Sequence, residues 1–183
     1  MKKIHRDLLL TGMLGILMLS LVGCNDSNSL KQENNLTPQN SLVSDYAPKP
    51  FKDFTLNDAK TGKPVSLNSF KGKKVFLHFW YPTCGPCLED LPIVEELHKK
   101  NLKNVAVVTV ADAKTVADIN KVANKYTFLT LFDPDRKISK LYAVEGYPTH
   151  AYLNTKGQEC KRTMGISTGT TVQDYIDILN KIK

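Results

Sequence analysis

Zinc-type ligand spacing is missing from this sequence. Its 183 residues include only four cysteines and four histidines, and no two histidines have the three-to-five-residue spacing of zinc ligands. One C-x-x-C pair is present, Cys84 and Cys87, without a second pair to complete a zinc site. A structural disulfide between them would stabilise little, because so short a loop restricts the unfolded chain only slightly. The pair is therefore interpreted as redox-active.

Signs of nucleic-acid binding and internal repeats are missing too. The chain has a formal net charge of +7, but its lysines are scattered and aromatic residues make up only 8% of it. The first 23 residues contain three basic residues and one acid, so the remainder keeps +5. We expect no nucleic-acid partner. The scattered lysines predict a solvated surface suited to anionic lipid or cell wall.

The one long apolar run lies at the start of the chain. Residues 8–22 follow a basic start and have the length of a signal-peptide core, which is too short for a confident membrane span. The run ends Leu-Val-Gly-Cys at residues 21–24, which resembles the lipobox of bacterial lipoproteins. That resemblance implies that Cys24 is acylated and anchors the protein in a lipid bilayer. An ordinary signal peptide or an uncleaved anchor is the alternative, and each hypothesis places the remainder outside the cytoplasm.

Three regions follow from this start. Residues 1–23 are predicted to be the leader, 24–47 the acylated cysteine and a tether, and 48–183 one folded domain. The tether is rich in Asn, Ser and Gln and poor in aromatic residues, so it buries too little apolar surface to fold. It would let the domain search the membrane surface.

The position of the cysteine pair predicts a reactive thiol. A strand-like run, 75–79, leads to Cys84, and a helix-like run, 88–100, follows Cys87. The first sulfur would lie where the unpaired N–H groups of a helix favour negative charge. That lowers the thiol pKa and keeps part of it as the reactive thiolate. The second cysteine is one helical turn away, close enough to close a small disulfide.

The rest of the domain alternates strand-like and helix-like segments. Strands are predicted at residues 51–57, 65–70, 75–81, 105–111, 128–132, 149–153 and 158–165. Helices are predicted at 85–100, with a kink at Pro92, and at 115–126, 135–142 and 171–182, the last with a capping box at Thr171. Strands alternating with helices and then a hairpin indicate a three-layer α/β domain.

Several landmarks carry a family resemblance. They are Ala-Pro to Phe at 47–54, Val to Lys at 65–73, Phe-Trp at 79–80, Cys-Gly-Pro-Cys at 84–87, Leu-Pro at 91–92 and Gly-Tyr-Pro-Thr at 146–149. Over residues 47–183 this combination resembles the TlpA/ResA-like group of membrane-tethered thiol–disulfide oxidoreductases. The resemblance implies a thioredoxin fold, with a central mixed β-sheet between two helical layers, and no cofactor.

The resemblance also implies roles for individual residues. Cys84 would be the attacking thiolate and Cys87 the resolving thiol. Pro148 is expected to be cis and to pack beside the sulfurs, and the backbone of Tyr147 to pair with an extended substrate segment. Trp80 would support the active-site loop.

Asp90 and His78 are two candidates for handling the proton of Cys87. Asp90 matches an acidic position of the group, three residues after Cys87, and the alternative is a solvated acid near the helix N-terminus. His78 stands where classical thioredoxins have a buried Asp, and the alternative is a hydrogen-bonded core histidine. His150 and His98 belong to no motif. They are expected on a strand and on a helix surface.

Two further positions bear on partners. Thr83 stands where the group often has Trp, which changes the rim of the site and its choice of partner. Cys160 has no partner once Cys24 is acylated and the other two cysteines pair. We expect a half-buried free thiol, and an intermolecular or regulatory disulfide is the sharper alternative.

The expected activity is disulfide reduction in exported proteins. The Gly-Pro dipeptide between the cysteines matches the reducing type of active site, with a potential of about −270 mV. Such a protein needs a membrane electron donor, and its clients would include apocytochrome c or a methionine sulfoxide reductase. We expect a monomer without a metal. The alternatives are an oxidase that forms disulfides, a metal or haem chaperone that uses the thiols as soft ligands, and a passive surface lipoprotein.

Overall fold

The computed structural model describes residues 47–183. The predicted leader, the acylation of Cys24 and nearly all of the tether lie outside these residues. In the described part, no helix is long and apolar enough to cross a membrane.

Within residues 47–183, eight strands form one sheet. They are β1 (Lys49–Pro50), β2 (Thr55–Asp58), β3 (Pro64–Ser66), β4 (Lys74–Trp80), β5 (Val105–Asp112), β6 (Leu129–Asp133), β7 (Thr149–Leu153) and β8 (Gln158–Met164). Their order across the sheet is β1-β8-β7-β4-β5-β6-β2-β3. Strands β4, β5 and β6 are parallel and the remaining pairs are antiparallel, so the sheet is mixed as expected.

In the same described part of the chain, four α-helices accompany the sheet. They are α1 (Gly85–Lys99), α2 (Val116–Ala123), α3 (Lys137–Leu141) and α4 (Val172–Lys181). Pro92 lies inside α1, which continues to Lys99. The capping box at the start of α4 is confirmed. Thr171 and Asp174 are hydrogen-bonded to each other through both backbone and side-chain atoms.

Several predicted segments are shorter in the structure, among them the strand predicted at 51–57, which begins at Thr55, and the helix predicted at 115–126, which ends at Ala123. Two others end early or begin late for a clear local reason. The strand predicted at 65–70 ends at Ser66, because the Ser66 hydroxyl caps a 3-10 turn that runs from Leu67 to Phe70. The helix predicted at 135–142 begins only at Lys137, because Asp135 and Arg136 have positive φ angles of 60° and 59°.

The side chains of β4 alternate between two cores. Phe76, His78 and Trp80 face α1, α2 and α4, whereas Val75, Leu77 and Phe79 face α3 and the segment around Phe54. Both faces are fully buried, which is why β4 reads as an almost unbroken apolar run. This alternation gives the predicted three layers, and it sends His78 to the same face as α1.

Candidate active site

The two cysteines of the C-x-x-C pair form a disulfide at the start of α1. Cys84 is the N-cap residue, and its Sγ accepts a hydrogen bond from the backbone N–H of Cys87 at 3.2 Å. A sulfur in this position is well placed to carry negative charge when it is reduced. Cys84 keeps 3% of its surface exposed and Cys87 none, while Gly85 and Pro86 are exposed. A partner therefore reaches Cys84 first.

The loop that precedes β7 lies at the same end of the sheet. Phe79 pairs with Thr149 across β4 and β7, so Pro148 stands beside the end of the strand that leads to Cys84. The Tyr147–Pro148 peptide bond is cis, as expected. The Tyr147 ring meets the Tyr81 ring edge to face, with centroids 5.2 Å apart. The two loops are thus in contact.

An arginine fixes the outer side of this loop. The Nε of Arg136 lies 3.2 Å from the Tyr147 hydroxyl and 3.2 Å from Asp112 Oδ2, and its guanidinium lies 5.4 Å from the Tyr147 ring centre. Its Nη2 donates to the Val144 carbonyl at 3.1 Å. Burial raises the pKa of Asp112, although Tyr147 and Arg136 act in the opposite direction. Arg136 therefore holds both the backbone and the side chain of the proline loop.

Trp80 is buried below the active-site surface, whereas Thr83 is exposed on it. Trp80 is completely buried and its indole N–H donates to Thr109 Oγ1 at 3.3 Å. That burial leaves it beneath the active-site loop, without surface for direct contact with a substrate. Thr83 is exposed, next to the buried Cys84, and Leu88 on α1 is 40% exposed. The accessible rim consequently includes threonine and leucine side chains.

A buried carboxylate lies one turn after Cys87. Asp90 is on the same face of α1 as Cys87 and is completely buried, so the alternative of a solvated helix acid is wrong. Its Oδ2 lies 2.7 Å from His150 Nε2, and its Oδ1 accepts the hydroxyl of Tyr175 from α4. Burial raises the pKa of Asp90, but the His150 bond, the nearby imidazoles and the Tyr175 bond outweigh it and lower the pKa. The carboxylate is therefore held in its ionised form.

His78 and His150 are direct neighbours across β4 and β7. They form one register pair, and their ring centroids are 5.0 Å apart. His78 Nε2 lies 3.5 Å from Asp90 Oδ2, yet neither ring nitrogen of His78 has a hydrogen-bond partner among the described residues. Burial lowers the pKa of His78 to about 3, with Asp90 opposing the shift. His78 is thus a neutral imidazole at the pH of the cell. His78 is therefore a core histidine, but it lacks the hydrogen bond that was expected of one.

His150 completes the cluster, and sequence reasoning missed its role. Its Nδ1 lies 3.0 Å from Thr163 Oγ1, while its Nε2 faces Asp90, so both ring nitrogens are engaged. No motif marks this residue. The only sequence signal for His150 was its position two residues after Pro148. That position places it opposite His78 only when the register of β7 on β4 is known. Tyr175 was missed for the same reason, because α4 is distant in sequence.

The same cluster has the compactness of a metal-ligand set. The ligating atoms of His78, Asp90 and His150 lie within 4.8 Å of one another. Both carboxylate oxygens of Asp90 are already engaged, one by Tyr175 and one by His150, and all three residues are buried. We therefore assign no ion to this cluster.

Cys160 is a free, partly buried thiol, as expected, and His98 lies on α1. The Sγ of Cys160 lies 3.6 Å from the Gln158 carbonyl, and burial raises its pKa. A thiol with a raised pKa holds little thiolate, so it is a poor nucleophile.

Comparison with known proteins agrees with this geometry. The model of the Redoxin family matches residues 46–179. The thiol-disulfide oxidoreductase ResA of Bacillus subtilis is 28% identical over 98% of this chain and 96% of its own. A solved DsbE-type thiol:disulfide interchange protein of Chlorobium tepidum is 29% identical, with a TM-score of 0.67 over 73% of this chain and 95% of its own. A solved exposed lipoprotein thioredoxin of Streptococcus pneumoniae is also 29% identical, with a TM-score of 0.63 over 72% of this chain and all of its own.

The matched region contains the disulfide, the proline loop and the buried cluster, and the fold is the thioredoxin fold that the sequence resemblance implied. This chain belongs to the Redoxin family, as a thiol-disulfide oxidoreductase of the ResA and DsbE type.

Proposed function

We propose that this protein reduces disulfides of exported proteins while tethered to the outer face of the bacterial cell membrane. The observation that supports this most directly is the Cys84–Cys87 pair, with one sulfur at a helix N-terminus and a buried Asp90–His150 pair one turn below the other. The site can therefore stabilise one thiolate and accept one proton.

The proposed reaction starts from the reduced dithiol. The Cys84 thiolate attacks a substrate disulfide, a mixed disulfide forms, and the first substrate sulfur leaves as a thiolate that takes a proton. Cys87 then loses its proton and attacks Cys84, which releases the second substrate sulfur as a thiolate and closes the disulfide of the enzyme. Two electrons pass to the substrate. A membrane dithiol donor must return them to the enzyme.

The proton of Cys87 is assigned to the Asp90–His150 pair. His78 is a weak acceptor because burial lowers its pKa to about 3. In the pair, His150 Nε2 lies 2.7 Å from Asp90 Oδ2 and His150 Nδ1 lies 3.0 Å from Thr163 Oγ1, so each ring nitrogen has a hydrogen-bond partner through which a proton can pass. His78 packs beside the pair and limits the water that reaches it.

An insulin-type reduction assay tests the activity. The wild-type chain with dithiothreitol as the electron source should precipitate insulin faster than dithiothreitol alone. Cys84→Ser should remove that acceleration, and the matched control Cys160→Ser should keep it, because Cys160 lies outside the site. Full activity of Cys84→Ser would show that another group is the nucleophile.

The direction of electron flow is tested by equilibrium with glutathione. Gly85 and Pro86 add no cation that would stabilise the reduced Cys84 thiolate, so the disulfide is comparatively favoured and the dithiol gives up electrons. A potential near about −270 mV supports a reductase, whereas one near about −120 mV would establish an oxidase. Apocytochrome c thiols and methionine sulfoxide reductase are the proposed clients.

The membrane tether is proposed from Cys24 and the apolar run before it. The description of the Streptococcus relative as an exposed lipoprotein supports the proposal. Changing Cys24 to Ala should release the protein from the membrane or leave an unprocessed precursor. Normal processing and membrane retention of that variant would contradict acylation at this residue.

A further inference from the structure

The end of the sheet opposite the disulfide is where the described chain enters the domain. Strand β4 runs about 20 Å from Lys74 to the active-site end at Trp80. We call the opposite end the basal pole. It comprises residues 49–51, 71–74, 101–105 and 154–158 and the C-terminal end of α4. Backbone bonds from Phe51 to Gly157, from Gly72 to Thr155 and from Lys74 to Asn104 hold these segments together.

Lysines dominate the exposed surface of the basal pole. Five exposed lysines form no ion pair with any acidic side chain in residues 47–183, namely Lys71, Lys73, Lys103, Lys156 and Lys181. The two acids that border this surface are already engaged. Asp53 accepts hydrogen bonds from Ser66 and Asn68, and Glu159 is buried in an ion pair with Arg162. Asp53 keeps its negative charge, because its donors are neutral, but the five lysines outnumber it, so the pole has a net positive charge.

A groove of about 330 Å³ opens within this surface. Its walls combine apolar side chains with three of the five lysines and no carboxylate, and they include Phe51, Phe70, Leu153, Lys71, Lys73 and Lys156. Lysine ammonium groups around an apolar floor match a ligand that has a phosphate beside a hydrocarbon or glycerol part.

We propose that the basal pole docks on anionic phospholipid headgroups and that the groove takes a headgroup phosphate. This rests on the membrane tether proposed above. A lipid anchor at Cys24 fixes the chain at one point only, so it does not by itself orient the domain. Attraction of the five lysines to an anionic surface would orient the domain. It leaves Cys84, at the other end of β4, facing away from the membrane toward exported substrates.

The test uses the full-length chain attached to vesicles and site-resolved acetylation of lysines. Flotation with phosphatidylcholine vesicles first shows attachment, and its failure would count against the tether and not against the pole. In phosphatidylglycerol vesicles, Lys103 and Lys181 should then be acetylated more slowly than in phosphatidylcholine, whereas Lys114, Lys137 and Lys140, which follow the active-site ends of β5 and β6, should react equally in both. Salt at high concentration should abolish the difference.

Two matched triple variants complete the test. Replacing Lys71, Lys73 and Lys156 by Gln should lower the ratio of docked to undocked protein on the order of 100-fold, at roughly five-fold for each lysine, and restore acetylation of Lys103 and Lys181. The same replacements at Lys114, Lys137 and Lys140 remove equal charge and should leave protection intact. Equal effects of both variants, or equal protection in phosphatidylcholine, would overturn the proposal. Protection by a soluble glycerol-phosphate polymer without vesicles would assign the pole to a cell-wall polymer instead.

Discussion

His150→Leu should destabilise the protein in a pH-dependent way. The substitution removes the 2.7 Å bond between His150 Nε2 and Asp90 Oδ2 and leaves a completely buried carboxylate with Tyr175 as its remaining donor. A hydrogen bond to a buried charged group contributes about 1.5–3 kcal/mol, and the upper end of that range applies to a carboxylate that water cannot reach. For a loss of about 3 kcal/mol, a domain of this size melts about 10 °C lower.

The sign of the pH dependence follows from Asp90. In the wild-type protein its pKa is lowered, so its contribution to stability is present above the unfolded-state pKa and is lost as the pH falls through the folded-state pKa. Without His150, burial dominates and raises that pKa, so the folded state instead prefers the protonated acid. The difference in melting temperature between wild type and His150→Leu should be large at pH 7 and smaller near pH 4, as measured by scanning calorimetry.

Two controls separate charge from packing. His98→Leu removes a half-buried histidine of α1, for which the described residues provide no side-chain hydrogen bond, and should melt much like the wild type at both pH values. His150→Gln keeps an N–H donor for Asp90 but cannot take a proton, so it should recover part of the stability while shifting the pH–rate profile of disulfide exchange. The His150 ring also stacks on Phe76, with centroids 5.3 Å apart. If His150→Leu lowers the melting temperature equally at both pH values, this packing accounts for the loss and the charge of Asp90 does not. If His150→Gln leaves the pH–rate profile unchanged, the assignment of the Cys87 proton to this pair is refuted.

Three further substitutions test the surroundings of the site. Arg136→Gln should raise KM for a disulfide substrate more than it lowers kcat, because Tyr147 loses its contacts with the guanidinium and its hydroxyl keeps only the hydrogen bond to Asp112, and steady-state kinetics would show this. Gly146→Ala should cost under about 1 kcal/mol in urea unfolding: its Cβ would lie 2.7 Å from the Sδ of Met164, an exposed and flexible side chain, and a loss above about 3 kcal/mol would show that Met164 cannot move. Asp133→Ala should cost about 2–4 kcal/mol, since a buried carboxylate that accepts three hydrogen bonds at the start of α3 is lost, and a stability equal to wild type would contradict that cap.

The sequence alone determined the chemistry of the cysteine pair. C-x-x-C spacing, a buried strand before it and a helix after it are local features, and helix geometry places Cys84 at the N-cap without help from the rest of the chain. The central strands and helices were predicted within a few residues for the same reason. The alternation of apolar and polar residues and the helix caps depend only on residues that are close in sequence. Departures arose where a side chain stopped an element, as Ser66 does at the end of β3.

Only the tertiary structure decided how the site handles charge. Asp90 and His78 were recognised by position, but whether Asp90 is solvated or buried depends on α4 and β7 covering α1. His150 gained its role from the antiparallel register of β7 on β4, since a shift of one residue would turn it to the other face of the sheet. The basal pole likewise combines lysines from four separate segments. Long-range pairing of strands and helices sets such environments, and no local pattern in the sequence encodes which distant residues will meet.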